Sequence, residues 1–169
     1  MKKKIIDYSD LESIREDNKD KKIAFCSGCF DILHSGHAVF FNQCKEFADI
    51  LIVGLGSDKI IKELKGDLKP INIEQNRLFL LSAMENVDYV ILADEDLKPG
   101  KIHFTELLDK LRPDMFVLNN DDSAMEEKKT LANRLGIELK LVSRIVPDFL
   151  RMTSSTEIVN KIRKAIIKG

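Results

Sequence analysis

The chain has 169 residues, with 27 basic and 28 acidic side chains, a formal net charge of −1 and 44% hydrophobic residues. That length suffices for one core burying roughly two thirds of the unfolded surface, and the near-zero charge argues against an electrostatic grip on a long nucleic acid. Three cysteines, an odd number, argue against a disulfide framework and for a reducing compartment, so a cytoplasmic location is expected.

Along the chain, Met1 to Lys4 are followed by only Ile5 and Ile6 before Asp7, too short an apolar run for a signal peptide, and no stretch approaches the length of a membrane span. A charged N-terminal segment, 1–20, carries a candidate helix at 11–17. A short apolar run at 23–26 reads as a first strand, and 37–47 places Val39, Phe40, Cys44 and Phe47 at helical spacing. The continuous apolar run 50–55 is of the kind buried on both faces of a parallel sheet. Helices are expected over 58–64 and 74–84, a third strand at 89–92, and a helix at 102–111 closed by Pro113. A fourth strand at 115–118, a helix at 123–135 ended by Gly136, a fifth strand at 137–142 and a last helix at 157–167 complete the chain. This alternation predicts an α/β fold, a doubly wound, parallel, five-stranded Rossmann-like sheet forming one domain over 1–169, with 1–20 as a short helical extension. Ligands bind such sheets outside the carboxyl ends of the strands, and three polar motifs are expected at strand ends.

The first motif is Gly28-Cys29-Phe30-Asp31-Ile32-Leu33-His34-Ser35-Gly36-His37, between a strand and a helix. Free amides and the positive dipole end of the helix favour an anion there, and Gly36 removes a side chain that would block its approach. His34 and His37, three apart, are expected on one helical face, donating to the same group. Read alone, His34 could simply cap the helix and His37 face solvent. Cys26 and Cys29 together with the two histidines suggest zinc, but four residues between the pairs and two between the histidines are poor spacing, so no metal site is expected.

The second motif is the basic segment Lys65-Gly66-Asp67-Leu68-Lys69-Pro70-Ile71-Asn72, followed by a helix carrying Arg77. It suits moving phosphates, although most such charge runs are solvated turns. The third comprises two helix-adjacent turns. Asn119-Asn120-Asp121 closes the fourth strand with residues that tolerate turn geometry. Ser154-Ser155-Thr156 opens the last helix, where Ser154 and Glu157 form a capping box and the hydroxyls with free amides suit a triphosphate. His103 is isolated and expected at the surface.

The pattern G-C-F-D-x-L-H-x-G-H resembles the signature of the cytidylyltransferase-like (HxGH) nucleotidyltransferases, a superfamily shared with class I aminoacyl-tRNA synthetases. The form of that motif and the K-G-D-L-K-P-I-N segment resemble the adenylyltransferase domain of ADP-heptose synthases, and secondarily glycerol-3-phosphate cytidylyltransferases. The resemblance implies transfer of a nucleoside monophosphate, AMP preferred, from a nucleoside triphosphate to a sugar or polyol phosphate, releasing pyrophosphate. It casts His34, His37 and Lys65 as catalytic. Gly28, Cys29, Phe30, Gly36, Arg77, Asn119, Asn120, Asp121, Ser154, Ser155 and Thr156 become nucleotide-binding, with Arg77 steadying either loop or nucleotide. It further implies Mg2+ carried with ATP or CTP, a phosphorylated small-molecule acceptor, no nucleic-acid or membrane partner, and a homodimer. Three departures stand out. Leu118 replaces a lysine and Asn119 a glycine of the ADP-heptose type, and 149–153 lack in register the arginine that the cytidylyltransferase type places before its hydroxyl motif. A non-catalytic nucleotide-binding module is the remaining alternative.

Overall fold

The strand Ile50–Gly56 is buried at every position, and it can be so only by having a hydrogen-bonded neighbour on each side and a layer of helices on each face. The computed structural model describes residues 4–96, 102–151 and 153–168. Its strands are β1 (Ile5–Ile6), β2 (Ile23–Gly28), β3 (Ile50–Gly56), β4 (Tyr89–Ala93), β5 (Met115–Asn119) and β6 (Glu138–Val142). They form one sheet in the order β1-β4-β3-β2-β5-β6, parallel at every pairing. The sheet therefore has six strands rather than the expected five. The addition is Ile5–Ile6, which pairs with Val90 and Ile91 at the edge of the sheet; two residues are too few to carry a periodic signal.

Helices α1 (Leu11–Asp17), α2 (Ser35–Phe47), α3 (Asp58–Lys65), α4 (Glu74–Ser82), α5 (Thr105–Leu111), α6 (Met125–Leu135) and α7 (Ser155–Lys168) complete the alternation. One face of the sheet holds Phe25 and Phe116 under Leu11 and Ile14 of α1, Leu107 and Leu111 of α5 and Leu131 of α6. The other holds Cys26, Val53 and Val117 under Phe40, Phe41 and Cys44 of α2 and Leu81 of α4. The N-terminal helix thus shares a core with α5, and Arg15 ties it to Asp114 at 2.9 Å, whose carboxylate also accepts the Ile23 amide. Helix α5 starts three residues later than expected, because Ile102 and Thr105 close a turn through the Thr105 hydroxyl. Among the described residues no helix is long and apolar enough to cross a membrane.

Chain order positions the site. From β2 the chain steps outward through β3 and β4, then returns to place β5 on the other flank of β2. The crevice beyond the carboxyl ends of β2 and β5 is the switch point at which such sheets take ligands. The basic segment 65–72 begins at the last residue of α3 rather than at a strand end, so its place near this crevice depends on tertiary contacts.

Candidate active site

At the end of β2 the backbone turns sharply, with Phe30 in the left-handed region at φ 46°, a conformation a bulky side chain adopts only where its surroundings hold it. The Phe30 ring supplies that hold by packing 5.3 Å from Phe41 and 5.3 Å, edge-on, from His37. A Cβ on Gly28 would lie 2.9 Å from the Phe30 ring, which accounts for the glycine there. His34 is extended, with φ −149°, and precedes the first turn of α2 rather than sharing its face. The two imidazoles nonetheless stack, with centroids 3.9 Å apart.

The backbone amide of His34 donates to His37 Nδ1 at 3.4 Å, which assigns the proton of neutral His37 to Nε2, where it can donate to a ligand. His34 Nδ1 is buried without a hydrogen-bond partner among the described residues. Burial pushes His37 down to about 4, helped by His34 and by the Arg144 guanidinium, and His34 is lowered by burial and Arg144. Both imidazoles are therefore neutral near pH 7.

His103, expected at the surface, is instead half-buried against Phe104 at 4.8 Å, and burial with nearby Lys128 brings it to about 4. Both His37 and His103 fall from an ordinary value of 6.5. Between pH 4 and 6.5 the unfolded chain binds more protons than the folded one, so stability is full above about 6.5 and is lost as pH falls towards 4. Unfolding titrations across that window should show this loss. His103→Asn should reduce proton uptake on unfolding near pH 5 by about one proton; an unchanged uptake would show His103 titrating normally.

The basic segment is fastened to the motif by Asp31. Its buried carboxylate accepts the amides of Ile71 and Asn72 at 2.7–2.9 Å, and Lys69 Nζ lies 3.5 Å away. Lys65 and Lys69 both line the cleft that results, and the Lys65 charge opposes the upward push of burial on the Cys29 thiol. Arg77 does not line the cleft. It is fully buried and donates to Asn72 O, Cys29 O, Gly56 O and the Asp58 carboxylate, so it binds the loop, not a nucleotide. Cys26 is buried beside Cys44 while Cys29 lines the cleft; the C-x-x-C pair is divided between core and site.

The far wall is the start of α7. Ser154 Oγ accepts the Glu157 amide at 3.1 Å, and Ser155 Oγ donates to Ile32 O at 3.2 Å, which seats this helix on the first motif. Met152, two residues before Ser154, lies outside the described residues. Ser154, Ser155 and Thr156 share with Gly28, Cys29, Phe30, Gly36, His34 and His37 a cleft of about 830 Å³. Its remaining side is the end of β5. Asn119 and Asp121 line it, whereas Asn120 does not; the Asn120 amide group donates instead to Ser143 Oγ at 3.3 Å.

Arg144, just after β6, is a cleft residue that the sequence reading missed. Its Nε donates to both oxygens of Asp121, at 2.9 and 3.2 Å. Arg151, which lies out of register with the arginine of the cytidylyltransferase type, lines the cleft as well. No motif surrounds Arg144, so only the parallel pairing of β5 with β6, Asn119 opposite Val142, could have located it.

This assembly of two helix N-termini, two neutral imidazoles and scattered cations can hold a chain of phosphates with fixed donors. Comparison with known proteins gives the same direction. Residues 25–161 match the cytidylyltransferase-like family. Among curated relatives, the bifunctional protein HldE of Campylobacter fetus is 38% identical over 161 residues, covering 95% of this chain and 32% of that protein. HldE of Helicobacter acinonychis is 39% identical over 162 residues, covering 96% and 32%. The chain therefore spans about a third of the length of these relatives. A solved structure of a lipopolysaccharide core biosynthesis protein from Thermoplasma volcanium superposes with a TM-score of 0.60 at 29% identity, over 76% of this chain and 99% of that one. A pantoate-beta-alanine ligase from Francisella tularensis, at 22% identity, shares the fold with a TM-score of 0.59 over 95% of this chain and 77% of its own. Motif, sheet order and cleft agree with these matches: the chain belongs to the cytidylyltransferase-like family of nucleotidyltransferase enzymes.

Proposed function

We propose that the protein transfers a nucleoside monophosphate, AMP in preference to CMP, from a nucleoside triphosphate to the phosphate of a sugar or polyol, releasing pyrophosphate. The observation that carries this reading is the stacked, neutral His34–His37 pair facing the start of α7 across one cleft, with Lys65, Lys69 and Arg144 at its edges. An oxygen of the acceptor phosphate attacks the α-phosphorus, a new P–O bond forms, and the bond from the α-phosphorus to the bridging oxygen breaks as pyrophosphate departs. The protein has no proton to remove from a phosphate already ionised at neutral pH, so its contribution is alignment and charge stabilisation. His37 Nε2–H and His34 donate to the α-phosphate and the leaving oxygen. Lys65 and Lys69 neutralise whichever phosphate the basic segment reaches, and the free amides and hydroxyls at Ser154, Ser155 and Thr156 hold the β- and γ-phosphates.

Magnesium fits only as part of the nucleotide. The carboxylates lining the cleft are engaged, Asp31 by amides, Asp121 by Arg144, Asp122 by Lys128 and Glu157 by Lys161, so phosphate oxygens and water would supply its ligands. The reading includes a cytoplasmic homodimer, which sedimentation of the purified protein would test. Nucleic acid and membrane are not partners in it.

The reaction is tested by pyrophosphate release with Mg2+, crossing ATP and CTP against heptose 1-phosphate, glycerol 3-phosphate and other sugar phosphates. Release with one pair names both substrates. Nucleotide binding with no release across the panel would instead identify a binding module.

A further inference from the structure

We propose that Asn119 reads the nucleobase, its carboxamide pairing with the amino group and adjacent ring nitrogen on the edge of adenine. The inference rests on the nucleotidyl-transfer reading above and deepens it.

Along β5, Phe116 and Leu118 join the core on one face of the sheet while Met115 and Val117 join the other, beneath α2. Alternation puts Asn119 on the α2 face with Val117, and it lines the cleft. The polar groups around it are committed elsewhere. Asp121 is paired with Arg144 and Asp122 with Lys128 at 2.7 Å. Asn120 donates to Ser143 Oγ, and the Gln43 amide to Ser143 O at 3.1 Å. The side chain of Asn119 has no hydrogen-bond partner among the described residues, and its carboxamide offers a donor and an acceptor side by side.

Charge assigns what lies against it. The phosphate-binding groups are the histidines, Lys65, Lys69 and the start of α7, whereas at the end of β5 the cations Arg144 and Lys128 are already paired with Asp121 and Asp122, which leaves that end without an uncompensated charge to draw a phosphate. The uncharged base therefore lies at this end, beside the apolar Val39 and Val117 that also line the cleft. Apolar walls with one polar edge-reading group are the usual makeup of such a pocket. A carboxamide meets adenine with its oxygen accepting from the amino group and its NH2 donating to the neighbouring ring nitrogen.

The test is equilibrium binding, without acceptor, of ATP and of purine riboside triphosphate, which lacks only the 6-amino group. The native protein should bind ATP roughly 3- to 10-fold tighter, the worth of one neutral hydrogen bond. In Asn119→Leu, and in Asn119→Gly should the larger side chain disturb folding, that ratio should fall to about one through weaker ATP binding. Equal affinities in the native protein, or a ratio undiminished in both variants, would overturn the assignment. Failure of the native protein to bind either triphosphate would overturn the nucleotidyl-transfer reading with it.

Discussion

His37→Ala is expected to lower the turnover of pyrophosphate release by roughly 10²- to 10³-fold, with a much smaller change in KM for the nucleotide. The magnitude is that of removing one preorganised donor from a site where charge develops only in the transition state. The asymmetry between kcat and KM follows from the same point, since a group matched to the transition state contributes little to ground-state binding. The imidazole is well prepared for this task. Its orientation is fixed by the His34 amide at Nδ1, by the stack on His34 and by the edge contact with Phe30. Burial keeps it neutral, so it acts as a donor and does not depend on prior protonation. Steady-state assays of His37→Ala and His37→Gln against the native protein check this. An unchanged kcat in both would remove His37 from the machinery.

Arg77→Ala is expected to cost about 3–5 kcal/mol of stability, the range for stripping one partner from a buried ionic network. The guanidinium is fully buried and satisfies three backbone carbonyls and the Asp58 carboxylate. Those four acceptors come from the first motif, the end of β3, the basic segment and the first turn of α3. Without the arginine each must find water in a site shaped to exclude it, and Asp58 loses its counter-charge. Lysine cannot replace the fork, because an ammonium presents its donors from a single point. Arg77→Lys should therefore recover less than half of the loss. Denaturant unfolding of both variants measures this, and a loss below about 1 kcal/mol in Arg77→Ala would show that the network relaxes around the gap.

The expected chemistry of Arg77 marks where local reading stops. Its position, three residues into a helix after a basic segment, is equally consistent with a phosphate ligand and a structural clamp; only the closure of the chain around it decides. His103 is similar: its half-burial comes from groups distant in sequence, with Gly56 at the end of β3 and Lys128 of α6 nearby. Ile5–Ile6 becomes a strand solely because β4 offers it an unpaired edge.

What the sequence by itself determined is the set of elements and the motifs that line the cleft. Among the described residues, five of the six strands and the seven α-helices follow from apolar periodicity, from Pro113 and from Gly136, which act within a few residues of their own position. The histidine motif and Ser154–Thr156 were likewise legible, since each abuts a helix N-terminus whose free amides are a local property, whereas Lys65, at the C-terminal end of α3, was marked by the resemblance of its segment. The tertiary structure alone decided which charges reach the cleft. Arg144 stands beside the histidines because β6 pairs with β5, Asp31 holds the basic segment across 40 residues of chain, and Asp121 and Asp122 turn to Arg144 and Lys128. Such pairings depend on distance in space between groups far apart in sequence, and no spacing rule encodes that distance before the sheet is assembled.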